Sequence, residues 1–493
     1  MAEQDAENRV AAVVIMAAGA GTRMKSAIPK VLHRIAGKSM VALAIDTADA
    51  LSPDHLVVVV GHQRELVTEH LADIAPHVTI AVQERPRGTG DAVRAGLAAL
   101  PGVAGEIVVT SGDVPLLAPQ TLLDLVAAHR EGGNAVTVLS AVVPDPTGYG
   151  RIVRDGDQVA RIVEQSDASE AELALAEINS GIYVFDAATL SEGLAALQAA
   201  NAQGELYLTD VISHARSAGR RVGARVLSDY LQTEGVNDRV QLAERAAELN
   251  RRILTRWMTE GVTVLDPSTT WVHAGVDLAE DVTLLPGTSL EGATSIGKGA
   301  TIGPDTTLID VEVGENARVL RTHAELAVIG DGATVGPFSY LRPGTEIGGR
   351  AHIGAFVETK KAVIGDGAKV PHLTYCGDAV VGEGSNIGAG TIFANYDGLG
   401  KYTSTVGAHS FVGSDSVLVA PVHIADGAYV AAGSTITADV GPGELAVSRG
   451  QQRNIRGWVA RKRPGTATAA AAEAALSHTD PREHAAEGTE SGE

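Results

Sequence analysis

Residues 284–308 read LLPGTSLEGATSIGKGATIGPDTTL, with an aliphatic at every sixth position: Leu284, Leu290, Ile296, Ile302 and Leu308. Strands repeat every two residues and helices every 3.6, so a period of six belongs to neither alone. A triangular solenoid has this period, because the chain turns a corner every six residues and sends one aliphatic inward per face. Its corners need small residues or φ > 0, and Ile296 and Ile302 are each followed by Gly. The spacing returns at Ile329, Val335, Leu341, Ile347 and Ile353, and again from Val406 through Val412, Leu418, Ile424 and Val430 to Ile436. Three faces make a coil of about 18 residues, so residues 266–440 predict roughly nine to ten coils of a left-handed parallel β-helix. Two phase slips interrupt it. Ile353 to Ile364 is one residue short of two repeats, and Ile387 to Val406 is one residue longer than three. The second slip holds IFANYDGLGKYTST, which predicts a projecting loop.

Ahead of the solenoid, Gln241–Glu260 (QLAERAAELNRRILTRWMTE) has helical apolar spacing and no internal Gly or Pro, and predicts a linker helix over 240–261. Before that, short apolar runs at 10–16, 56–60, 78–82 and 107–110 alternate with helical patterns. Strands spaced by helices predict an α/β domain with a mostly parallel, Rossmann-like sheet covered on both faces over 1–239. The solenoid domain then runs over 262–461. The tail, 462–493, is poor in large apolar residues and is expected to be disordered, with at most a short Ala-rich helix.

Composition narrows the function. A net charge of −21 disfavours nucleic acid, whose phosphates call for clustered Lys and Arg. Cys376, the single cysteine, excludes an internal disulfide and any cysteine-based zinc site. Its place six residues after Val370 puts it in the inward register as a structural thiol rather than a nucleophile. The acidic start MAEQDAENR lacks the pattern of a signal peptide, and no apolar run reaches membrane-spanning length, so a cytoplasmic location is expected. Aromatics make up only 3% of the chain beside 56 glycines, which suits an interior of stacked small aliphatics.

Met16-Ala-Ala-Gly-Ala-Gly-Thr-Arg-Met24 follows the first predicted strand, and Pro29-Lys30 follows shortly after. Glycines in such a turn let backbone N–H groups approach phosphate, and a nearby lysine adds charge. Alone, the turn could equally be a tight connection. Ser111-Gly-Asp113-Val-Pro115 ends a strand on a carboxylate suited to a hard cation.

AAGAGTRMKSAIPK resembles the nucleotide-sugar pyrophosphorylase signature. Gln83 with Gly88-Thr89-Gly90, Gly148-Tyr-Gly-Arg-Ile152, Val163-Glu-Gln165, Ile178-Asn-Ser-Gly181, Glu205-Leu-Tyr-Leu-Thr-Asp210 and Gly235-Val-Asn237 then follow in the order of the N-acetylglucosamine-1-phosphate uridylyltransferases. The resemblance implies that Gln83, Gly88 and Thr89 read the uracil edge, and that Met16, Ala17, Ala18 and Gly19 flank the nucleotide of UTP. It implies that Gly150, Glu164 and Asn179 hold N-acetylglucosamine-1-phosphate. Asp113 and Asn237 would hold Mg²⁺, with Asn237 also beside the substrate, and Arg23 and Lys30 would neutralise phosphate charge. Two positions depart from the family pattern: Asp91, where the string usually runs G-T-G-H, and Asp238, where it usually runs V-N-N. Both neighbour expected site residues.

The solenoid is by itself only a scaffold. Polar and aromatic residues nevertheless gather at its phase slips, in FSYLRPG, FVETKK, VPHLTYCGD, SNIGAG and FANYDG. Those strings resemble the glucosamine-1-phosphate N-acetyltransferase half of the same bifunctional family. The resemblance implies that Arg342 and Lys360 grip the sugar phosphate, Tyr375 and Asn386 contact the sugar, and His372 is the base. Ala389, Asn395, Tyr396, Ser414, Ala432 and Arg449 would line the acetyl-CoA site. A histidine suits the base role because the amine must lose a proton near neutral pH. His352, His409 and His423 are expected to be ordinary surface residues. The resemblance further implies a homotrimer. Two competing expectations remain: a monofunctional nucleotidylyltransferase with a solenoid that only trimerises it, and a nucleotide-responsive regulatory subunit.

Overall fold

The computed structural model describes residues 9–199 and 201–478. Its front part is built on a mixed sheet whose strands are β1 (Ala12–Ala17), β2 (His55–Val60), β3 (Thr79–Val82), β4 (Glu106–Ser111), β5 (Val136–Val142), β6 (Arg151–Asp155), β7 (Gln158–Val163), β8 (Glu177–Asp186) and β9 (Val222–Leu227). The spatial order is β9-β5-β8-β4-β1-β2-β3, with β6 and β7 forming a hairpin off β8. β1, β2, β3 and β4 are mutually parallel, as the continuous apolar runs predict. β8 runs antiparallel to both of its neighbours, which the sequence does not announce. Helices cover both faces, and two separate apolar clusters fill the layers between them and the sheet.

The linker helix, Arg239–Thr259, begins at Asp238, whose carboxylate accepts from the Val240 and Gln241 N–H groups at 2.9 Å. The departure at 238 therefore keeps the residue type that a helix N-cap needs. The far end of the helix serves more than connection. Ile253, Leu254 and Trp257 belong to the same apolar cluster as the solenoid interior and close its first coil. A stacked repeat needs such a cap, because its terminal coil otherwise exposes an apolar cross-section.

The solenoid has three parallel sheets of 11, 10 and 9 strands, in which strands pair with the one three positions later except at the last step of the 11-stranded sheet. Leu284, Ile302, Val319, Val335, Ile353 and Val370 stack in register along one face. This is the left-handed β-helix expected from the period, and its interior is one continuous aliphatic column. Cys376 belongs to that column, and burial pushes its thiol up to about 12, as suits a structural residue. The step from Ile387 to Val412 spans a longer connection, within which Tyr396 and Lys401 bridge to form the projecting loop.

Corners lie in the left-handed region, and several carry non-glycine residues, among them Asp310, Asn316 and Asp415. Asp and Asn tolerate that conformation. Phe338, Phe356 and Leu373 are bulkier occupants of one corner column. Within the expected tail, Ala467–His478 forms a short Ala-rich helix of the kind the sequence allows, and a one-turn helix at Trp458–Lys462 precedes it at the end of the solenoid span. Seven of the 12 residues of Ala467–His478 are alanine, the best helix former because it has no side-chain entropy to lose. Residues 479–493 of the expected disordered tail lie outside the described residues.

Candidate active sites

The carboxyl ends of β1 and β4 lead into a cleft of about 270 Å³. Met16, Ala17, Ala18, Gly19, Lys30, Gln83, Gly88, Thr89 and Asp113 line it together. Gly21 is required at the turn: it sits at φ 59°, and a Cβ there would come within 2.7 Å of the Lys30 Cβ. Gly88 is likewise required, since at φ 105° a Cβ would lie 2.6 Å from the Leu206 carbonyl oxygen. The hydroxyl of Thr89 accepts from the Leu208 N–H at 3.1 Å, so that side chain anchors the 205–210 loop, and Glu205 of the loop joins the cleft wall.

Lys30 forms an ion pair with the Asp113 carboxylate, and its Nζ also donates to the Asn237 Oδ1 at 3.5 Å. Asp113 is held from the other side by the Ser111 hydroxyl at 2.6 Å. The 235–237 loop reaches the pair because the Val236 N–H donates to the Asp113 carbonyl at 2.9 Å. Among the described residues no three His, Cys, Asp or Glu side chains gather to cage a metal. The protein therefore offers two hard oxygen donors, a carboxylate and an amide, beside the cleft. That set fits Mg²⁺, which keeps water and phosphate oxygens as its other ligands. Arg23 is not brought into the cleft: it lies exposed on the short 3-10 turn Thr22–Met24.

Gly150, Glu164 and Asn179 form a second group nearby in the fold. The Asn179 N–H donates to the Gly150 carbonyl at 2.9 Å, and a Cβ on Gly150 would lie 3.3 Å from the Glu164 Oε2. Glu164 accepts from the Thr209 hydroxyl at 3.3 Å and opens on a larger cavity of about 490 Å³. Burial pushes its carboxyl above the usual range, against the Thr209 hydrogen bond that pulls it down. The Asn179 amide is committed to the Tyr183 hydroxyl at 2.8 Å and to the Gly181 N–H at 3.1 Å.

In the solenoid, the expected residues divide between two surfaces. Arg342, Lys360, Tyr375 and Asn395 come from successive strands or their ends on one face. The Lys360 ammonium donates to both Asp378 oxygens, at 3.3 and 3.1 Å, and the Asn395 amide donates to the same carboxylate. Burial favours neutral Asp378, yet these hydrogen bonds hold its carboxyl below the usual range. Arg342 pairs with Glu358 at 2.9 Å. Lys401, from the projecting loop, approaches closely enough that repulsion from Lys360, and to a lesser degree from Arg342, lowers its pKa. Asp378 and Lys401 carry no signal in the sequence beyond lying in the quoted strings.

His372 is exposed and stacks in register on Ala355. Its carbonyl accepts from the Gly390 N–H, the Ala389 carbonyl from the Asp415 N–H, and the Ser414 carbonyl from the Gly433 N–H. His372, Ala389, Ser414 and Ala432 thus succeed one another at one edge, coil upon coil. Arg449 reaches back to donate to the Ala432 carbonyl at 3.0 Å. Asn386 lies on the strand that leads to Ala389, paired with Lys369. Tyr396 stands apart on the projecting loop, its hydroxyl donating to the Gly398 carbonyl.

Comparison with known proteins agrees with this division. The nucleotidyl transferase family matches residues 12–268, the bacterial transferase hexapeptide family matches 326–361, and the hexapeptide repeat of succinyl-transferase matches 404–438. The protein called bifunctional protein GlmU in Streptomyces avermitilis is 57% identical over 470 residues, covering 95% of this chain and 98% of that one. Its namesake in Mycolicibacterium vanbaalenii is 56% identical over 467 residues, covering 94% and 95%. That of Kineococcus radiotolerans is 55% identical over 466 residues, with the same coverage. With a nucleotidyl transferase half, a hexapeptide half and near full-length relatives, the chain belongs to the GlmU family of bifunctional enzymes, which join an N-acetylglucosamine-1-phosphate uridylyltransferase to a glucosamine-1-phosphate N-acetyltransferase.

Proposed function

We propose that the solenoid acetylates glucosamine-1-phosphate from acetyl-CoA and that the front cleft then uridylylates the product with UTP, giving UDP-N-acetylglucosamine. One observation carries this pairing: a single chain builds two polar sites, one around Lys30, Asp113 and Asn237, the other along the His372 edge.

In the front cleft, a phosphate oxygen of N-acetylglucosamine-1-phosphate attacks the α-phosphorus of UTP. A new P–O bond forms there as the bond to the β-phosphate oxygen breaks and pyrophosphate leaves. Positioning and charge neutralisation do most of such work. Met16 to Gly19 and the Gly88 backbone flank the nucleotide, Gln83 meets the base, and Lys30 neutralises phosphate. Gly150, Glu164 and Asn179 hold the sugar. Asp113 and Asn237 would hold Mg²⁺, which when bound offsets the charge of the phosphates. Exposed Arg23 serves phosphate only if it swings inward.

In the solenoid, the amine of glucosamine-1-phosphate attacks the thioester carbonyl. His372 takes the amine proton as the C–N bond forms and returns it to the departing sulfur as the C–S bond breaks, so CoA leaves as its thiol. Arg342 and Lys360 hold the sugar phosphate, with Asp378 fixing Lys360. Tyr375 and Asn386 contact the sugar. Ala389, Asn395, Tyr396, Ser414, Ala432 and Arg449 line the acetyl-CoA track, for which the column of small residues beyond His372 leaves room. The enzyme works as a homotrimer, and soluble charged substrates suit a cytoplasmic location. Among the described residues no helix is long and apolar enough to cross a membrane.

The test follows CoA thiol and pyrophosphate release separately with acetyl-CoA, glucosamine-1-phosphate, UTP and Mg²⁺. His372→Ala is expected to abolish thiol release while pyrophosphate release from N-acetylglucosamine-1-phosphate continues, and Asp113→Asn to do the opposite. Intact thiol release in His372→Ala would sink the acetyl-transfer assignment.

A further inference from the structure

We propose that Asp91 is a specificity-determining positioning residue: it fixes which end of the Gln83 amide faces the base and so makes the cleft select a pyrimidine with an N3–H donor. The inference rests on the reading that Gln83 meets the base.

A primary amide has two ends of nearly equal shape and opposite hydrogen-bonding sense. Presented by its oxygen, it accepts from the N3–H of uracil. Presented by its NH₂, it donates to the bare N3 of cytosine. A glutamine free to turn over could therefore serve either base.

Gln83 is not free. Its Nε2 donates to the Gly88 carbonyl and to the Asp91 Oδ2, both at 3.1 Å, so both amide protons have partners. Both partners only accept, and one is a carboxylate. Turning the amide over would set its oxygen against two oxygens and leave a charge-assisted bond unmade. The Oε1 has no protein donor among the described residues, while Gln83 as a whole is 9% exposed and lines the cleft. The one unspent group on Gln83 is thus an acceptor.

Asp91 is itself held in place. It lies in the first turn of the helix Thr89–Ala98, where the helix N-terminus favours a carboxylate. Its second oxygen pairs with Arg94, three residues along the same helix. The Asp91 side chain is only 15% exposed, so water competes weakly for its Gln83 bond. Arg94, Asp91, Gln83 and the Gly88 carbonyl form a relay that leaves the amide oxygen of a cleft residue as its unpaired end.

The experiment compares kcat/KM for UTP and CTP, by pyrophosphate release with N-acetylglucosamine-1-phosphate and Mg²⁺, in wild type, Asp91→Ala, Asp91→Asn, Gln83→Ala and the double Ala variant. Circular dichroism and thermal unfolding, compared with wild type, report that the front domain of each variant is folded. Asp91→Ala is expected to lower the UTP:CTP ratio about tenfold, as loss of one oriented buried hydrogen bond would. The effect should fall more on KM for UTP than on kcat. Asp91→Asn keeps the volume but has one acceptor for two donors, and should fall between. In the Gln83→Ala background, removing Asp91 should change the ratio no further. A ratio unmoved by either Asp91 change, in a protein where Gln83→Ala lowers it, overturns the proposal. So does an equal Asp91 effect with and without Gln83. If Gln83→Ala leaves the ratio intact, the base reading itself fails.

Discussion

At the scale of single residues, Lys30 occupies the ground that a cation would take. Its ammonium lies between Asp113 and Asn237, the two oxygens assigned to Mg²⁺, and a second positive charge cannot join it there. If Asp113 and Asn237 hold Mg²⁺ as proposed, the ion would take this place only once the nucleotide phosphates draw Lys30 away. Lys30→Ala is therefore expected to bind Mn²⁺ several-fold more tightly in the absence of nucleotide, measured by titration calorimetry. The same variant should lose roughly 10²-fold in uridylyl transfer, in line with removal of a preorganised charge. Unchanged Mn²⁺ affinity would refute the placeholder role. Lys30, Asp113 and Asn237 were each legible in motifs, because the residue types that neutralise or ligate phosphate and metal are few. The resemblance already put Asp113 and Asn237 on one Mg²⁺, but the ion pair of Lys30 with Asp113 was not legible, since it depends on how the Lys30 turn, the β4 end and the 235–237 loop meet across the fold. Thr89 and Arg23 show the converse. Both lie in readable motifs, but the Thr89 hydroxyl is taken by Leu208 and Arg23 is turned out to solvent.

At the scale of elements, the linker helix was legible as a helix and not as a lid. Apolar spacing and unbroken propensity specify Arg239–Thr259, but which apolar groups it covers is a tertiary matter. Asn250 shows how the lid is fastened. It is 6% exposed, its amide donates to the Thr270 carbonyl at 2.8 Å, and its oxygen accepts from the Val272 N–H at 3.0 Å. A mid-helix asparagine is indifferent on propensity grounds, which is why the sequence gives it no prominence. Asn250→Ala would leave a buried donor and a buried acceptor unpaired at the first coil. Its cost is expected to be about 2–4 kcal/mol by chemical denaturation. A loss below about 0.5 kcal/mol would mean that water replaces both bonds. The solenoid strands were readable for the opposite reason: each places one side chain inward in a fixed period, so local pattern and tertiary position coincide. β8, inserted antiparallel between β4 and β5, has no such local signature.

At the scale of the whole molecule, the solenoid carries a column that makes little sense in an isolated chain. Phe338, Phe356 and Leu373 occupy consecutive corners at φ 60°, 58° and 49°, a backbone region that bulky residues rarely adopt. They are also 52%, 60% and 61% exposed. The two rings stack on each other at 5.4 Å, and Arg321 extends the column over Phe338 at 5.8 Å. Neither conformation nor burial within one chain accounts for large apolar groups there, whereas burial against another copy in the proposed homotrimer would. Leu373 directly follows His372, so the same contact would bring a neighbouring chain beside the acetyl-transfer site. Phe356→Asp tests this without threatening the coil, because Asp tolerates the left-handed region and already fills such corners at Asp305, Asp310, Asp378 and Asp415. The expected variant is a folded monomer by light scattering, with acetyl transfer down at least about tenfold and pyrophosphate release within about twofold of wild type, because burying three new carboxylates around a trimer axis is far costlier than losing one ring. A variant that remains trimeric with full acetyl transfer would remove this column from the interface.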